Sequence, residues 1–337
     1  MRTCIVHIGT HKTGTTSLQV FMAQNRTTLA SAGLYLPDAG RPAQIPIGNH
    51  QLAWDLLMRG ESKDLPLLTD ELRKNTIEGA LITSEDFDRL HVRPETIERL
   101  AEAIRSAGYV PKVVVYFRPQ AGYAESIYVE MIKHGHVHPL ANFLEPSISN
   151  GMYRQGDSPV VMDFLYTRIL EPWVRVFGKE HVIVRAYDPA RASEHIFQDF
   201  FNVLMQAVPG FGRKPLELAV SQPRANDSLT FGALLDTAFA KLFPHGRPEA
   251  EPRGLLRSKL PDFPADLLNA RYALFSRDET LKLLAALGPD NAVIEREYGA
   301  HIGFQNERDI APQDDPVWRK ATVERAIFDQ FLALWTS

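Results

Sequence analysis

The sequence predicts an α/β protein: a three-layer sandwich with helices on both faces of a central, mainly parallel sheet. Three observations predict it. Between residues 4 and 205, apolar runs of strand length alternate with segments of helical periodicity, the pattern of parallel βαβ units. The first apolar run, CIVHIG (4–9), passes through a glycine-containing turn straight into a helix. Beyond about residue 207 strand signals stop, and Pro-rich connections (208–224, 244–264) separate helical segments, so the C-terminal part is expected to be helices and loops. A chain of 337 residues can bury a core of that size.

In order along the chain, residues 4–9 read as a strand buried on both faces and ending at Gly9. Leu18, Phe21, Met22 and Leu29 mark one helix over 15–31. GLYLP (33–37) is a second strand, stopped by Pro37, and residues 38–48 are a Gly/Pro loop. HQLAWDLLM (50–58) is helical. ALITSED (80–86) is a strand followed by a turn, and Pro94 suits the first turn of a helix reaching about Ser106. KVVVYF (112–117) is the strongest strand, ended by Arg118-Pro119, with a helix from about Tyr123 to Lys133. Residues 161–178 read as a helix that Pro172 can break, 181–187 as a strand and 194–205 as a helix. Helices are then expected near 226–243, 265–275, 277–287 and 316–335.

Composition narrows the function. The chain is 45% hydrophobic and 23% charged, as ordinary soluble proteins are, and a net charge of −4 gives no global argument for a nucleic-acid partner. The single cysteine, Cys4, excludes an intrachain disulfide and a CxxC metal site, and reads as a small buried hydrophobe. Met1-Arg2-Thr3 leads directly into a strand, too short a stretch for a secretory leader, and no apolar run approaches about 18 residues. The expected compartment is the cytoplasm, with no membrane span. His134, His136 and His138 alternate as metal ligands on a strand would, but they follow a helix into an exposed loop, so no metal site is assigned.

The chemistry concentrates in HIGTHKTGTTSLQ (7–19). Strand, glycine turn and helix aim backbone N–H groups at an anion. Gly9 and Gly14 are spaced as in a Walker A loop, but that motif needs Lys directly after the second glycine, and here Thr15-Thr16 follow. Lys12 stands at the apex instead, where it can reach the bridging oxygen of a diphosphate-like group. Thr13, Thr15 and Thr16 can donate to terminal oxyanions.

THKTGTTSLQ resembles the 5′-phosphosulfate loop of sulfotransferases that use 3′-phosphoadenosine-5′-phosphosulfate (PAPS), most nearly the bacterial enzymes related to carbohydrate sulfotransferases. The resemblance implies the P-loop-like sulfotransferase fold, as one domain over 1–337. An α/β nucleotide-binding core would span 1–206, with 207–337 packed on it. It implies donor contacts from His11, Lys12, Thr13, Gly14, Thr15, Thr16 and Ser17, with His11 shaping the turn. The family's 3′-phosphate motif is an arginine ending a strand and a serine eight residues on, which Arg118 and Ser126 match. VIVRAYD (182–188) with Asp199-Phe200, RANDSL (224–229) and DNAVIEREYG (290–299) resemble later family elements, whereas the RKG…GDW sequence of the cytosolic small-molecule branch is absent.

The implied reaction is sulfuryl transfer from PAPS to an acceptor hydroxyl or amine, a saccharide or glycolipid by the branch resembled. Lys12 and the helix N-terminus supply positive charge, so no metal is required. Related enzymes place a His or Glu base in the neighbourhood of His50, and Glu85, at the end of the third strand, can act as a base or bind an acceptor hydroxyl. An imidazole with an ordinary pKa near 6.5 ranks His50 first as the base and Glu85 second. A nucleotide kinase or NTPase, and a non-catalytic nucleotide-binding protein of the same fold, are the competing readings.

Overall fold

The structure, a computed structural model, describes residues 2–187, 192–212, 229–243, 268–303 and 311–336. The chain divides into two compact units. The first comprises Met1–Arg118, Arg154–Asn226 and Asp290–Ile302, and the second Pro119–Tyr153, Asp227–Pro289 and Gly303–Ser337.

The first unit holds a parallel sheet of five strands: β1 (Arg2–His7), β2 (Leu34–Tyr35), β3 (Gly79–Thr83), β4 (Tyr109–Phe117) and, after two short strands β5 (Met152–Arg154) and β6 (Val161–Asp163), β7 (Val182–Ala186). Their order is β2-β3-β1-β4-β7, with Ile5 paired to Leu81 on one side and Lys112 on the other. The chain builds one side of β1 with β2 and β3, then the other with β4 and β7. Strand order therefore reverses beside β1, the switch point at whose carboxyl ends open α/β sheets place their ligand-binding crevice.

Alternation along β4 divides its side chains between the sheet faces. Val114 and Tyr116 join a core with α1 (Thr15–Gln24) and α9 (Ala192–Ala207). Phe21 of α1 meets Phe197 and Phe201 edge-on at 5.1 and 5.9 Å. On the opposite face Phe117 stacks on Tyr166 at 4.0 Å, at the start of α8 (Tyr166–Phe177). There α5 (Pro94–Ser106) buries Ile97, Leu100, Ala101 and Ile104, a helical stripe. The α/β class with a mainly parallel sheet holds, and Cys4 is fully buried in β1.

Several boundaries differ from the sequence reading. The helix expected over 15–31 is two: α1 stops at Asn25, whose side-chain amide donates to the Phe21 carbonyl, and α2 (Arg26–Ser31) follows. After α3 (His50–Arg59) comes an unforeseen α4 (Asp64–Lys74). Residues 161–163 are strand, and α8 begins only at Tyr166, where Asp290 accepts from the Tyr166 N–H at 2.6 Å and satisfies an open helix end. Pro172 sits inside α8 without ending it.

In the second unit, α6 (Gln120–Lys133), α7 (Leu140–Asn150), α10 (Phe231–Leu242) and α12 (Pro316–Thr336) surround aromatic contacts such as Tyr128 with Phe143 and Phe328. Thr230 caps α10, accepting from the Ala233 N–H. The helix expected over 265–275 is absent from its described part. Beyond a short turn at 268–269 the chain has no regular structure up to Ser276, with one bridge from Arg271 to Thr230. Side-chain carboxylates take its backbone donors: Glu125 accepts from Leu274 and Phe275, and Glu324 from Ala273. Helix α11 (Arg277–Tyr298) is longer than expected and absorbs the DNAVIEREY segment. RANDSL lies outside the described residues except for Leu229, as do residues 213–224 and 244–264 of the Pro-rich connections. His138 contacts Tyr153 through Nε2 at 3.1 Å. No helix among the described residues is long and apolar enough to cross a membrane.

Candidate active site

The loop from Ile8 to Gly14 joins β1 to α1 at the crevice. Gly9 has φ 51°, and a Cβ there would lie 3.0 Å from Thr15 Oγ1 and 3.3 Å from Glu85 Cα. Only glycine lets the loop pass so close to the end of β3. Lys12, at the apex, has φ 65° and is the sole non-glycine residue with positive φ among the described residues. Such a conformation is uncommon for a side-chain-bearing residue and persists where surrounding contacts impose it. Those contacts are visible. Thr10 Oγ1 donates to the Tyr116 carbonyl (2.9 Å), and Thr13 Oγ1 donates to the Thr10 carbonyl (2.7 Å).

Gly14 is the N-cap of α1 in a left-handed conformation, with no side chain capping the helix and no acid in its first turn. The helix start is thus electropositive, its first N–H groups directed toward the loop. Thr13 and Thr15 are buried and turned inward to brace the turn, a role the sequence did not suggest. Thr16 and Ser17 are half-buried beside it.

Arg118 is reached from the other side of the crevice. It is buried at the end of β4 and donates from Nη1 to the Lys12 carbonyl at 2.9 Å. Tyr166 donates from its hydroxyl to the Arg118 carbonyl at 2.5 Å, and the Tyr187 ring lies 6.0 Å from the guanidinium carbon. Tyr187 also flanks Gly14, 3.4 Å from where a Cβ would be. Arg118 is therefore not a surface residue. It grips the backbone of the very residue that the sequence places at the loop apex. Ser126 is buried in the second turn of α6, in the other unit.

The carboxyl end of β3 brings the remaining candidates together. Ser84 caps the 3-10 segment Glu85–Val92, its Oγ accepting from the Asp86 N–H. His50, the first residue of α3, places Nδ1 at 2.9 Å from Ser84 Oγ, 3.6 Å from Asp86 Oδ2 and 3.9 Å from Glu85 Oε2. Gln19 of α1 donates to Glu85 Oε2 at 2.9 Å. Asp86 Oδ1 also faces His11 Nε2 at 3.4 Å and Arg89 Nη1 at 2.9 Å. Gly48 leaves room for the ring, since a Cβ there would lie 2.8 Å from His50 Nε2.

These neighbours set the charges. Burial pushes the Asp86 carboxyl upward, but His11, His50 and Arg89 outweigh it and hold the group well below the usual carboxylate range. Burial lowers the His50 pKa, but the Asp86 and Glu85 carboxylates outweigh that and raise it above the ordinary histidine value. Behind them, Asp88 is fully enclosed and burial pushes its carboxyl up to about 6.

The first unit thus assembles His11, Lys12, Arg118, His50 and Glu85 from four separate segments. Sequence reasoning missed Asp86, Arg89, Gln19 and Tyr187. The Asp86–Arg89 pair had a legible signal in its i,i+3 spacing. Gln19 and Tyr187 had none, because their partners are distant in the chain. Chemically, the arrangement offers a cationic loop at a helix N-terminus beside a histidine–carboxylate group.

No protein-family model matches the chain, and no curated protein matches it. Among solved structures, the crystal structure of a sulfotransferase from Alicyclobacillus acidocaldarius aligns with 89% of this chain and 97% of that one, at a TM-score of 0.44 and 18% identity. At that distance the likeness establishes no family, and the functional reading rests on the site.

Proposed function

We propose that the protein is a sulfotransferase that moves a sulfuryl group from PAPS to an acceptor hydroxyl or amine by in-line displacement. The observation that carries the reading is Lys12, held in a left-handed conformation at the apex of a loop that opens onto the α1 N-terminus, with the His50–Glu85–Asp86 group at the neighbouring strand end. Lys12 donates to the oxygen that bridges sulfur and the 5′-phosphate. The N–H groups of residues 13–16 and the hydroxyls of Thr16 and Ser17 hold that phosphate. Arg118 binds the 3′-phosphate, and Ser126 joins it on the eight-residue spacing of the sequence alone.

In the reaction, His50 removes the acceptor proton as the acceptor oxygen or nitrogen bonds to sulfur. The bond from sulfur to the bridging oxygen breaks, and its electron pair leaves with adenosine 3′,5′-bisphosphate. Lys12 stabilises that developing charge, as preorganised donors do in related group transfers. Glu85 acts beside the imidazole or in its place as the base. The acceptor we propose is a saccharide or glycolipid. Trp54, one helical turn beyond His50 on α3, is 37% exposed and offers an aromatic face to a sugar ring.

The Gly9–Gly14 spacing keeps a magnesium-dependent kinase or NTPase as the second reading. Calorimetry separates the two. Adenosine 3′,5′-bisphosphate is expected to bind without magnesium and more tightly than ATP with magnesium; the reverse preference sinks the sulfotransferase reading. Labelled sulfate transfer from PAPS to a saccharide panel then distinguishes an enzyme from a nucleotide-binding protein without turnover.

A further inference from the structure

We propose that the buried carboxylate of Asp86 is a positioning group that joins the donor loop to the base, facing His11 with one oxygen and setting the tautomer of His50 with the other. The proposal rests on the reading of His50 as the base. Asp86 stands where three elements meet: the β1–α1 loop through His11, α3 through His50, and its own 3-10 segment through Arg89. Its backbone is fixed as well, the N–H donating to Ser84 Oγ, which is itself 2.9 Å from His50 Nδ1.

The tautomer follows from which ring nitrogen faces the acceptors. His50 Nδ1 looks at Ser84 Oγ, Asp86 and Glu85 together. A proton on that nitrogen is favoured by both carboxylates, so the neutral ring carries its lone pair on Nε2. That nitrogen lies beside Gly48, where a side chain would crowd it. Asp86 thus sets Nε2 as the proton-accepting nitrogen of the base while facing the residue that precedes Lys12. Other charges face the same ring: Glu85 from the 3-10 segment, with Gln19 of α1 bonded to it, and Arg41 from the 38–48 loop, which opposes protonation. His11 and Arg89 act on the ring through Asp86. The raised pKa of His50 agrees with the carboxylates prevailing over burial and Arg41.

The experiment is nitrogen-resolved NMR of the His50 ring together with the pH dependence of kcat. In the unaltered protein, above its pKa, His50 is expected as the Nδ1–H tautomer; an Nε2–H tautomer overturns the proposal, whatever any variant does. In Asp86→Asn the His50 pKa is expected to fall by about one unit, within the range for losing an opposite charge at this distance. The acid limb of kcat moves to lower pH with it, and kcat at its plateau falls about tenfold. A folded Asp86→Asn protein with an unmoved His50 pKa overturns the proposal. A moved His50 pKa with an unmoved acid limb supports the Asp86–His50 link and removes His50 as the base, leaving Glu85. A merely structural Asp86 would lower kcat without displacing either titration.

Discussion

Lys12 is the residue on which the proposed chemistry turns. Its loop is braced by Thr10, Thr13 and Arg118, none of which needs the ammonium group. Lys12→Ala is therefore expected to leave thermal unfolding nearly unchanged while turnover falls about 10²–10³-fold, the usual loss for one preorganised electrostatic donor. Near-normal sulfate transfer by this variant would remove Lys12 from the mechanism. Arg118 has two tasks in this reading, because one arm of its guanidinium already holds the Lys12 carbonyl. Arg118→Ala should weaken binding of any 5′-phosphate nucleotide by loosening the loop. Nucleotides that carry a 3′-phosphate should lose a further one to two decades, from a charge-assisted contact of roughly 1.5–3 kcal/mol. Equal losses in calorimetry would leave Arg118 as a strut for the loop alone. Asp88 gives a stability test. Its carboxyl is raised in the fold to about 6 from an ordinary 3.8, so the folded protein binds the extra proton. Stability is then lost as pH rises from about 4 to about 6 and stays lost above. Asp88→Asn should stabilise the protein by about 1–3 kcal/mol at pH 7.5 and by much less at pH 4. A gain in denaturant midpoint that is equal at both pH values would refute the burial argument. In sequence, glycine spacing singles out Lys12 and a strand end singles out Glu85, and the structure brings Glu85 to His50. Asp86 and Arg89 showed only their i,i+3 spacing, because what gives them a role is His11 and His50, brought in from other segments.

At the scale of elements, α1 links packing to chemistry. The same helix that points its N-terminus at the loop seats Phe21 between Phe197 and Phe201 of α9. Phe21→Ala should destabilise the protein by about 3–5 kcal/mol, seen as a lower urea midpoint. Loss of donor affinity before global unfolding would show that α1 loosens first. Strands were legible where apolar runs were continuous: β1, β3, β4 and β7 all lie where they were expected. The failures have local physical causes. Asn25 turns its amide back onto its own helix and splits it. Val161–Asp163 carries an apolar period that suits either structure, and the Asp290 carboxylate decides where α8 begins. Over 271–275 the side chains read as helix, but Glu125 and Glu324 hold the backbone donors that a helix would use. No local pattern announces a carboxylate arriving from some fifty or more residues away.

For the whole molecule, the contacts group Pro119–Tyr153 with later chain as the second unit. Composition could not reveal this, since α6 has the same helical periodicity as the helices of the first unit. The sheet order has a further consequence during synthesis. β4, the most apolar strand, pairs with β1 on one side and with β7 on the other. When β4 leaves the ribosome β1 is already made, but β7 is about seventy residues away. At about 5–20 residues per second that interval is roughly 4–14 s. Throughout it, Val113–Phe117 presents an open hydrogen-bonding edge to solvent, the kind of surface that other chains add to. Nascent chains arrested near residue 150 should therefore bind chaperones and sediment with one another. Chains arrested some forty residues beyond α9, with β7 and its helix clear of the exit tunnel, should not. Equal chaperone capture at both lengths would mean that β4 finds cover before β7 arrives.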